Sequence, residues 1–513
     1  MTAFSRRLFL GAAAASLAAP RVLAQTRDSI TLAMPRDLQG LLDPAFRLST
    51  PEANVIRAVC EGLLRFKPGS FEWEPAAAER VEQVSDTVIE FALRPGLHFQ
   101  DGFGELTAED VKFSFERFRA PGPDGKPSAY AADMETLDRV DVTGKHTGRI
   151  VLTAPSPAMW KVVLPDVSGL IISRRAMEAG AYRTDRNPAR VIGTGAYTLA
   201  EWVPNQRTVL RANPAYHGPA PRFREIVLRP VRDPKTAELA LRADELQFSR
   251  IEPSSTAAVQ GAPRTRVLSQ DSINFVWLGM NVERAPFDDV RVRRALRAAV
   301  DVDQVLAGGY DGAVGRAYGP LAPGLVGHWP QAPRHRADPA QARRLLAEAG
   351  HGRGVRAKLT LLNQPAYQAS AQVIQALAAE AGFQIELEVL DPGAYWSAGN
   401  GERGKELQLS LQRFGGKADP AFQMQWFTSD QVGTWNWQRW RSPEYDAAVA
   451  RAARTADPAE RQRLYVEAQR IMDESAAFIW LTHERNVFAF RDWLSPALLP
   501  NGDDMLLDRF GAA

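Results

Sequence analysis

A few stretches of this sequence carry residue types that could do chemistry, and what they favour is recognition rather than bond breaking. Arg413-Phe414-Gly415-Gly416-Lys417-Ala418-Asp419-Pro420 sets two glycines beside a cation and an acid. Glycine has no Cβ, so such a loop lets backbone N–H and C=O groups come close to a bound molecule. Thr434-Trp435-Asn436-Trp437-Gln438-Arg439-Trp440 places three of the chain's twelve tryptophans within six residues. Each indole offers a rigid apolar face and one N–H donor, which suits a ligand with planar or apolar parts. In an extended segment, alternation puts Trp435 and Trp437 on one face, while Trp440 lies elsewhere. The competing reading is a tryptophan cluster in the core. The guanidinium groups of Arg413 and Arg439 could each take a carboxylate through two parallel bonds, or could simply be surface groups. Asp419 is a ligand contact or, as an aspartate before proline, a turn former.

Two further segments are aromatic, and one is neutral. The loop Leu42-Asp43-Pro44-Ala45-Phe46 and the segment from Asn274 to Asn281, with Phe275 and Trp277, are candidates for lining a binding cleft. Asn363-Gln364-Pro365-Ala366-Tyr367 reads as a loop after the strand-like Leu359–Leu362 and offers only uncharged side chains.

The familiar catalytic and metal signatures are missing. The histidines are His98, His146, His217, His328, His335, His351 and His483, with no H-x-x-x-H spacing and no cysteine partner. There is no G-x-S-x-G elbow, no phosphate-cradling glycine–lysine loop and no H-E-x-x-H. No catalytic residue, metal site or cofactor is therefore expected. The alternative class is a periplasmic hydrolase, which needs two carboxylates facing one another in a closed cleft.

These segments must be positioned by a mixed α/β framework, because short helices and strands alternate between proline and glycine turns. Val88–Leu93 alternates as a strand, followed by turns at Pro95-Gly96 and Asp101-Gly102. Thr107 then opens a helix with Asp110 as its capping-box partner and Val111, Phe115 and Phe118 as its apolar stripe. Asp338-Pro339 and Asp457-Pro458 each pair a capping acid with a first-turn proline. Asp288 or Asp289 caps a helix whose Arg291, Arg293, Arg294 and Arg297 are expected to coat a solvated face. Gly193 and Gly195 are expected to permit a tight left-handed turn.

Ser5-Arg6-Arg7-Leu8-Phe9-Leu10 is a twin-arginine pattern, and Val22-Leu23-Ala24 fits a cleavage site, so residues 1–24 read as an export signal. The expected product is a soluble periplasmic protein beginning near Gln25. Losing Arg6, Arg7 and Arg21 takes the 62 basic side chains one below the 60 acidic ones. That balance offers nothing to nucleic acid or an anionic membrane. Cys60 is the only cysteine, so stability comes from core burial and not from a disulfide within the chain.

The block Val88–Arg119 resembles the periplasmic solute-binding proteins of the dipeptide, oligopeptide and nickel ABC importers, extracellular solute-binding protein family 5. Cys60-Glu61-Gly62-Leu63-Leu64 with Glu74-Pro75 and Glu79 is similar to another block of that family. So are Ile192-Gly193-Thr194-Gly195-Ala196-Tyr197 with Asn213-Pro214, and Pro286-Phe287-Asp288-Asp289-Val290-Arg291. The resemblance runs from about Leu42 to Met472. It implies an α/β, two-lobed periplasmic-binding-protein (Venus flytrap) fold with an inserted subdomain in the first lobe. Lobe I would hold residues 25–55, 190–270 and 486–513, the inserted subdomain 56–189, and lobe II 271–485. Crossings near Ser269–Asp271 and His483–Asn486 would form the hinge.

The implied function is capture of a small polar, partly apolar solute, peptide-like or other, and delivery to the transmembrane subunits of an ABC permease. The protein would be a monomer that meets the membrane only through that permease. A variant of this reading has the binding protein serve a chemoreceptor. In peptide binders of the family, an aspartate three positions before the Asp-Pro pair receives the ligand's amine, and a cation in the loop after Leu362 receives its carboxylate. Here Gly416 and the neutral Asn363–Tyr367 stand at those places, so a standard dipeptide is not the expected ligand. The expected contacts are Phe46, Trp277, Asn363, Tyr367, Arg413, Phe414, Gly415, Gly416, Lys417, Asp419, Trp435, Asn436, Trp437 and Arg439.

Overall fold

The computed structural model describes residues 27–513 except 40, 48–49, 123–124, 126–127, 183–189 and 503. The twin-arginine segment and its cleavage site lie outside the described residues. Two large sheets organise the rest. A seven-stranded sheet runs in the order Tyr197–Val203, Arg207–Ala212, Glu225–Pro230, Ser29–Met34, Phe248–Ile251, Arg485–Arg491, Thr265–Asp271. A five-stranded sheet runs Phe383–Leu390, Val355–Leu362, Leu409–Phe414, Phe275–Met280, Phe478–Thr482. The first sheet shares one apolar core with a four-stranded antiparallel sheet built from Ala78–Ser85, Val88–Leu93, Thr147–Leu152 and Leu137–Val142. The mixed α/β, two-lobed architecture is as the sequence leads one to expect.

Local signals explain most of the elements. In the helix Ala108–Glu116 the capping box is complete, and Val111 and Phe115 are buried together with Phe118 just beyond it. Asp338 and Asp457 accept the N–H of the residue three positions on, and proline occupies the first turn of both helices. The strand Phe275–Met280 is buried at every position, as befits a strand covered on both faces. Its Val276, Leu278 and Met280 join a core beneath the helices Val290–Ala299, Val302–Tyr310, Pro339–Glu348 and Pro365–Glu380. Its Phe275 and Trp277 point into a second core under Pro443–Arg454 and Pro458–Ser475.

Three local expectations need correction. Gly193 and Gly195 do not adopt positive φ. A Cβ on Gly193 would lie 2.2 Å from the Val59 carbonyl oxygen and one on Gly195 2.7 Å from it, so close backbone approach is what demands glycine here. Asp289 caps its helix through the Arg291 N–H at 2.8 Å, and of the arginines Arg291 and Arg294 are exposed as expected while Arg293 and Arg297 are not. Arg293 is buried and donates to the carbonyls of Phe287 and Ser475, and Arg297 donates to the carbonyl and carboxylate of Asp473. Buried guanidinium groups are saturating backbone carbonyls that water cannot reach. Finally, Asn363–Tyr367 is not a free loop, because a helix begins at Pro365.

Asp110 makes the capping box testable. Its carboxylate accepts the Thr107 N–H at 3.0 Å and, 64 residues on, the Arg174 N–H at 3.0 Å. Asp110→Ala leaves both donors without their acceptor in a buried setting. Urea unfolding is expected to show a loss of about 1–3 kcal/mol; an unchanged midpoint would mean the helix start needs neither bond.

Candidate ligand-binding cleft

Strand direction decides where a site can lie. Val355–Leu362 runs parallel to both Phe383–Leu390 and Leu409–Phe414, so the chain leaves all three at one edge. Phe275 pairs with Phe414 in antiparallel register, and Val276 pairs with Thr482, so the strand at 275 starts at that edge and the strand at 482 ends there. Residues 272–274 and 483–484 then cross to the other sheet, where Asp271 pairs with Arg485. In the seven-stranded sheet, the strands ending at Met34, Pro230, Ile251 and Asp271 all run toward the same crossings. The exit edges of the two sheets therefore face each other, and open α/β sheets bind ligands beyond the carboxyl ends of their strands.

Phe414 is the centre of an aromatic wall on the five-stranded side. Trp277, Trp426, Trp435 and Trp396 surround it with ring centroids at 4.9, 5.8, 5.8 and 6.3 Å. Trp277 is wholly buried, whereas Trp396 and Trp435 are each 37% exposed and form the accessible part. Trp396 and Trp426 were not among the expected contacts. Trp396 sits on the helix Pro392–Ala398 directly after Phe383–Leu390, so the strand-end rule could have flagged it. Trp426 lies in a short helical turn that hydrophobicity alone does not distinguish from core.

The loop after Phe414 reaches across the cleft. Lys417 Nζ lies 2.5 Å from Asp133 Oδ1, and Asp133 Oδ2 accepts the Ser168 hydroxyl at 2.5 Å. Arg47 donates to the same hydroxyl at 3.3 Å, and its guanidinium lies 3.6 Å from the centre of the Tyr130 ring. Gly415 is exposed beside them. The Gly416 N–H donates to Asn274 Oδ1 at 3.3 Å, and a Cβ on Gly416 would lie 2.5 Å from the Ile273 carbonyl oxygen, so this loop is seated on the crossing. Phe46 is half-buried under the Arg117 guanidinium, whose two nitrogens hold Asp43 at 2.6 Å each.

The other expected contacts are each held by partners within the protein. Asp419 is fully buried with both oxygens on Arg461, at 2.6 and 2.7 Å. Asn436 is fully buried and donates to the carbonyls of Phe427 and Trp440. Trp437 is buried against Tyr395, with its N–H on the Thr434 carbonyl. Trp435 and Trp437 do not share a face, because the chain turns: the N–H groups of Trp435 and Asn436 both reach the Gln431 carbonyl. Arg439 is buried at positive φ and paired with Glu283. Arg413 and Tyr367 both bond Glu484 at 3.1 Å, and exposed Asn363 donates to Asp391.

Alignment with the sequence profile described as bacterial extracellular solute-binding proteins, family 5 middle, covers residues 72–435. The chain belongs to the family 5 extracellular solute-binding proteins. Members of this family are the solute-binding components of ABC importers. The chain is 28% identical over 456 residues to heme-binding protein A of Haemophilus influenzae, covering 82% of this chain and 81% of that one. It is 27% identical over 445 residues to the dipeptide-binding protein of Escherichia coli, covering 82% and 83%. Its fold is similar to that of the periplasmic binding protein DppA from Helicobacter pylori in complex with peptide STSA, with a TM-score of 0.81, 23% identity and coverage of 95% and 99%. No helix among the described residues is long and apolar enough to cross a membrane.

Two outcomes separate scaffold from site. Asp419→Ala leaves Arg461 charged and buried without its partner, and is expected to cost about 3–5 kcal/mol in urea unfolding; a near-neutral result would free Asp419 for another role. His483 is half-buried in a crossing, and desolvation pushes its imidazole down from the usual 6.5 to about 4. The unfolded chain therefore takes up a proton near pH 6.5 that the folded one refuses until about pH 4. Stability should fall as pH drops through that window, and less steeply in His483→Gln; identical pH profiles for the two proteins would contradict this.

Proposed function

We propose that this family 5 protein captures its solute between two lobes that close about the crossings at 272–274 and 483–484. In this reading lobe I comprises 25–55, 190–270 and 486–513, the inserted subdomain 56–189, and lobe II 271–485. The observation that carries it is the pairing of facing strand-exit edges with a half-exposed indole wall at one of them. The solute is small, with a flat or apolar part for Trp396 and Trp435 and polar groups for the loop at Gly415–Lys417. The relatives named for a dipeptide and for heme, and the neighbour holding peptide STSA, support a peptide-like or comparably sized ligand. No catalytic step is assigned to the cleft. The filled protein then docks on an ABC permease as a monomer. Export through the twin-arginine segment, ending in a soluble periplasmic protein, completes the proposal.

Native mass spectrometry of protein purified from the periplasm tests it. A discrete added mass that disappears on denaturation is expected, with a change of indole emission when the ligand is returned. Trp396→Ala and Trp435→Ala should each weaken binding by about 0.5–1.5 kcal/mol, the usual worth of an aromatic contact. Affinity unchanged in both variants would remove the wall from the site.

A further inference from the structure

We propose that Lys417 is an anion anchor of the cleft, so that the solute carries an acid group beside its flat or apolar part; this rests on the solute-capture reading above.

The Lys417–Asp133 pair joins the loop after Leu409–Phe414 to the short helical turn Ala131–Met134 on the opposite side. Its two halves are not equivalent. The Asp133 side chain is 5% exposed and keeps the Ser168 hydroxyl, with Arg47 behind it, whatever Lys417 does. The Lys417 side chain is 26% exposed and has the Phe422 ring 4.3 Å from its ammonium. Lys417 is thus the half that can take a second partner. A pair drawn partly out of water gains little net stability, because desolvation offsets the attraction. The ammonium has three N–H donors, so a ligand carboxylate can join Lys417 beside Asp133 without stripping that buried acid of its partner, and the ligand's remaining contacts then favour the closed form.

The surroundings suit a small anion. Asn274 is 3% exposed; its Oδ1 is occupied by the Gly416 N–H, while its Nδ2 has no protein partner. That donor lies on the crossing directly beneath the loop that carries Lys417. Gly415 is exposed between Phe414 and Gly416, and a Cβ on it would meet only Asn274 Oδ1, at 3.6 Å, so its flank is open. An acid there completes an ion pair with Lys417 and gives Asn274 an acceptor, while the body of the molecule lies along Trp435 and Trp396. The other cations tested on this point are committed: Arg439 holds Glu283, and Arg413 holds Glu484.

The two sides of the pair make opposite predictions. The probe is a bacterial metabolite extract split by anion exchange into an acidic pool and a neutral-plus-basic pool, with capture read by native mass spectrometry. Wild type should take a ligand that fragmentation shows to carry an acid group, net anionic if it comes from the acidic pool and zwitterionic if it comes from the other. Lys417→Met should lower that capture about tenfold or more, since a hydrogen bond to a charged group is worth about 1.5–3 kcal/mol. Lys417→Arg should restore most of it. Asp133→Asn frees the ammonium and should hold or raise capture. A pair that merely latches the lobes would instead lose capture in both Lys417→Met and Asp133→Asn, and that result overturns the proposal. So does a captured ligand whose fragmentation shows no acid group, which leaves solute capture standing. Capture from neither pool by folded wild type overturns both. If Lys417→Met does not fold, the Asp133→Asn and Lys417→Arg arms still decide.

Discussion

The constraint on which this molecule depends is that two sheets are joined at facing edges by two very short crossings. Three residues, 272–274, and two, 483–484, carry the chain between strands that are nearly continuous across the gap. Glu484 holds a positive φ, and its carboxylate is tied by Arg413 and Tyr367, while its N–H donates to the Thr482 hydroxyl. One crossing is thereby fastened to the five-stranded side. His483 beside it is half-buried and neutral at ordinary pH. The segments that leave the sheets at this edge are therefore placed toward the gap between them.

Much of the conspicuous chemistry in the sequence serves packing. Asp419–Arg461 is an ion pair withdrawn from water, buried Arg439 reaches out to exposed Glu283, and buried Arg293 is held by backbone carbonyls. Asn436 holds a turn together through backbone carbonyls. Such groups are costly to bury alone, so in a folded interior they are found satisfied. Exposure sets Trp396, Trp435 and Lys417 apart from them, and a side-chain N–H without a protein partner marks Asn274.

The aromatic wall combines the two roles. Trp277, Phe275, Phe427 and Trp480 form a buried aromatic cluster under Phe414, and Trp396 and Trp435 extend it into the open. A rigid base holds the exposed rings in place, so little side-chain freedom is left to lose when a flat ligand meets them. The ion pair at Lys417 adds a directional element that apolar contact lacks.

What the sequence determined by itself was local. Alternation at Val88–Leu93, the capping box at Thr107 and Asp110, and the Asp-Pro helix starts at 338 and 457 depend on neighbours within a few residues. The family was legible because several such blocks recur in a characteristic order. The tertiary structure decided which candidates are exposed and which are packed away. Trp435 and Trp437 are two residues apart, yet a turn toward Gln431 exposes one and buries the other. Asp419 and Lys417 are equally close, yet one meets Arg461 in the core and the other meets Asp133, 284 residues away, across the gap. Burial and charge pairing between distant segments are properties of the folded chain, and no spacing along the sequence encodes them.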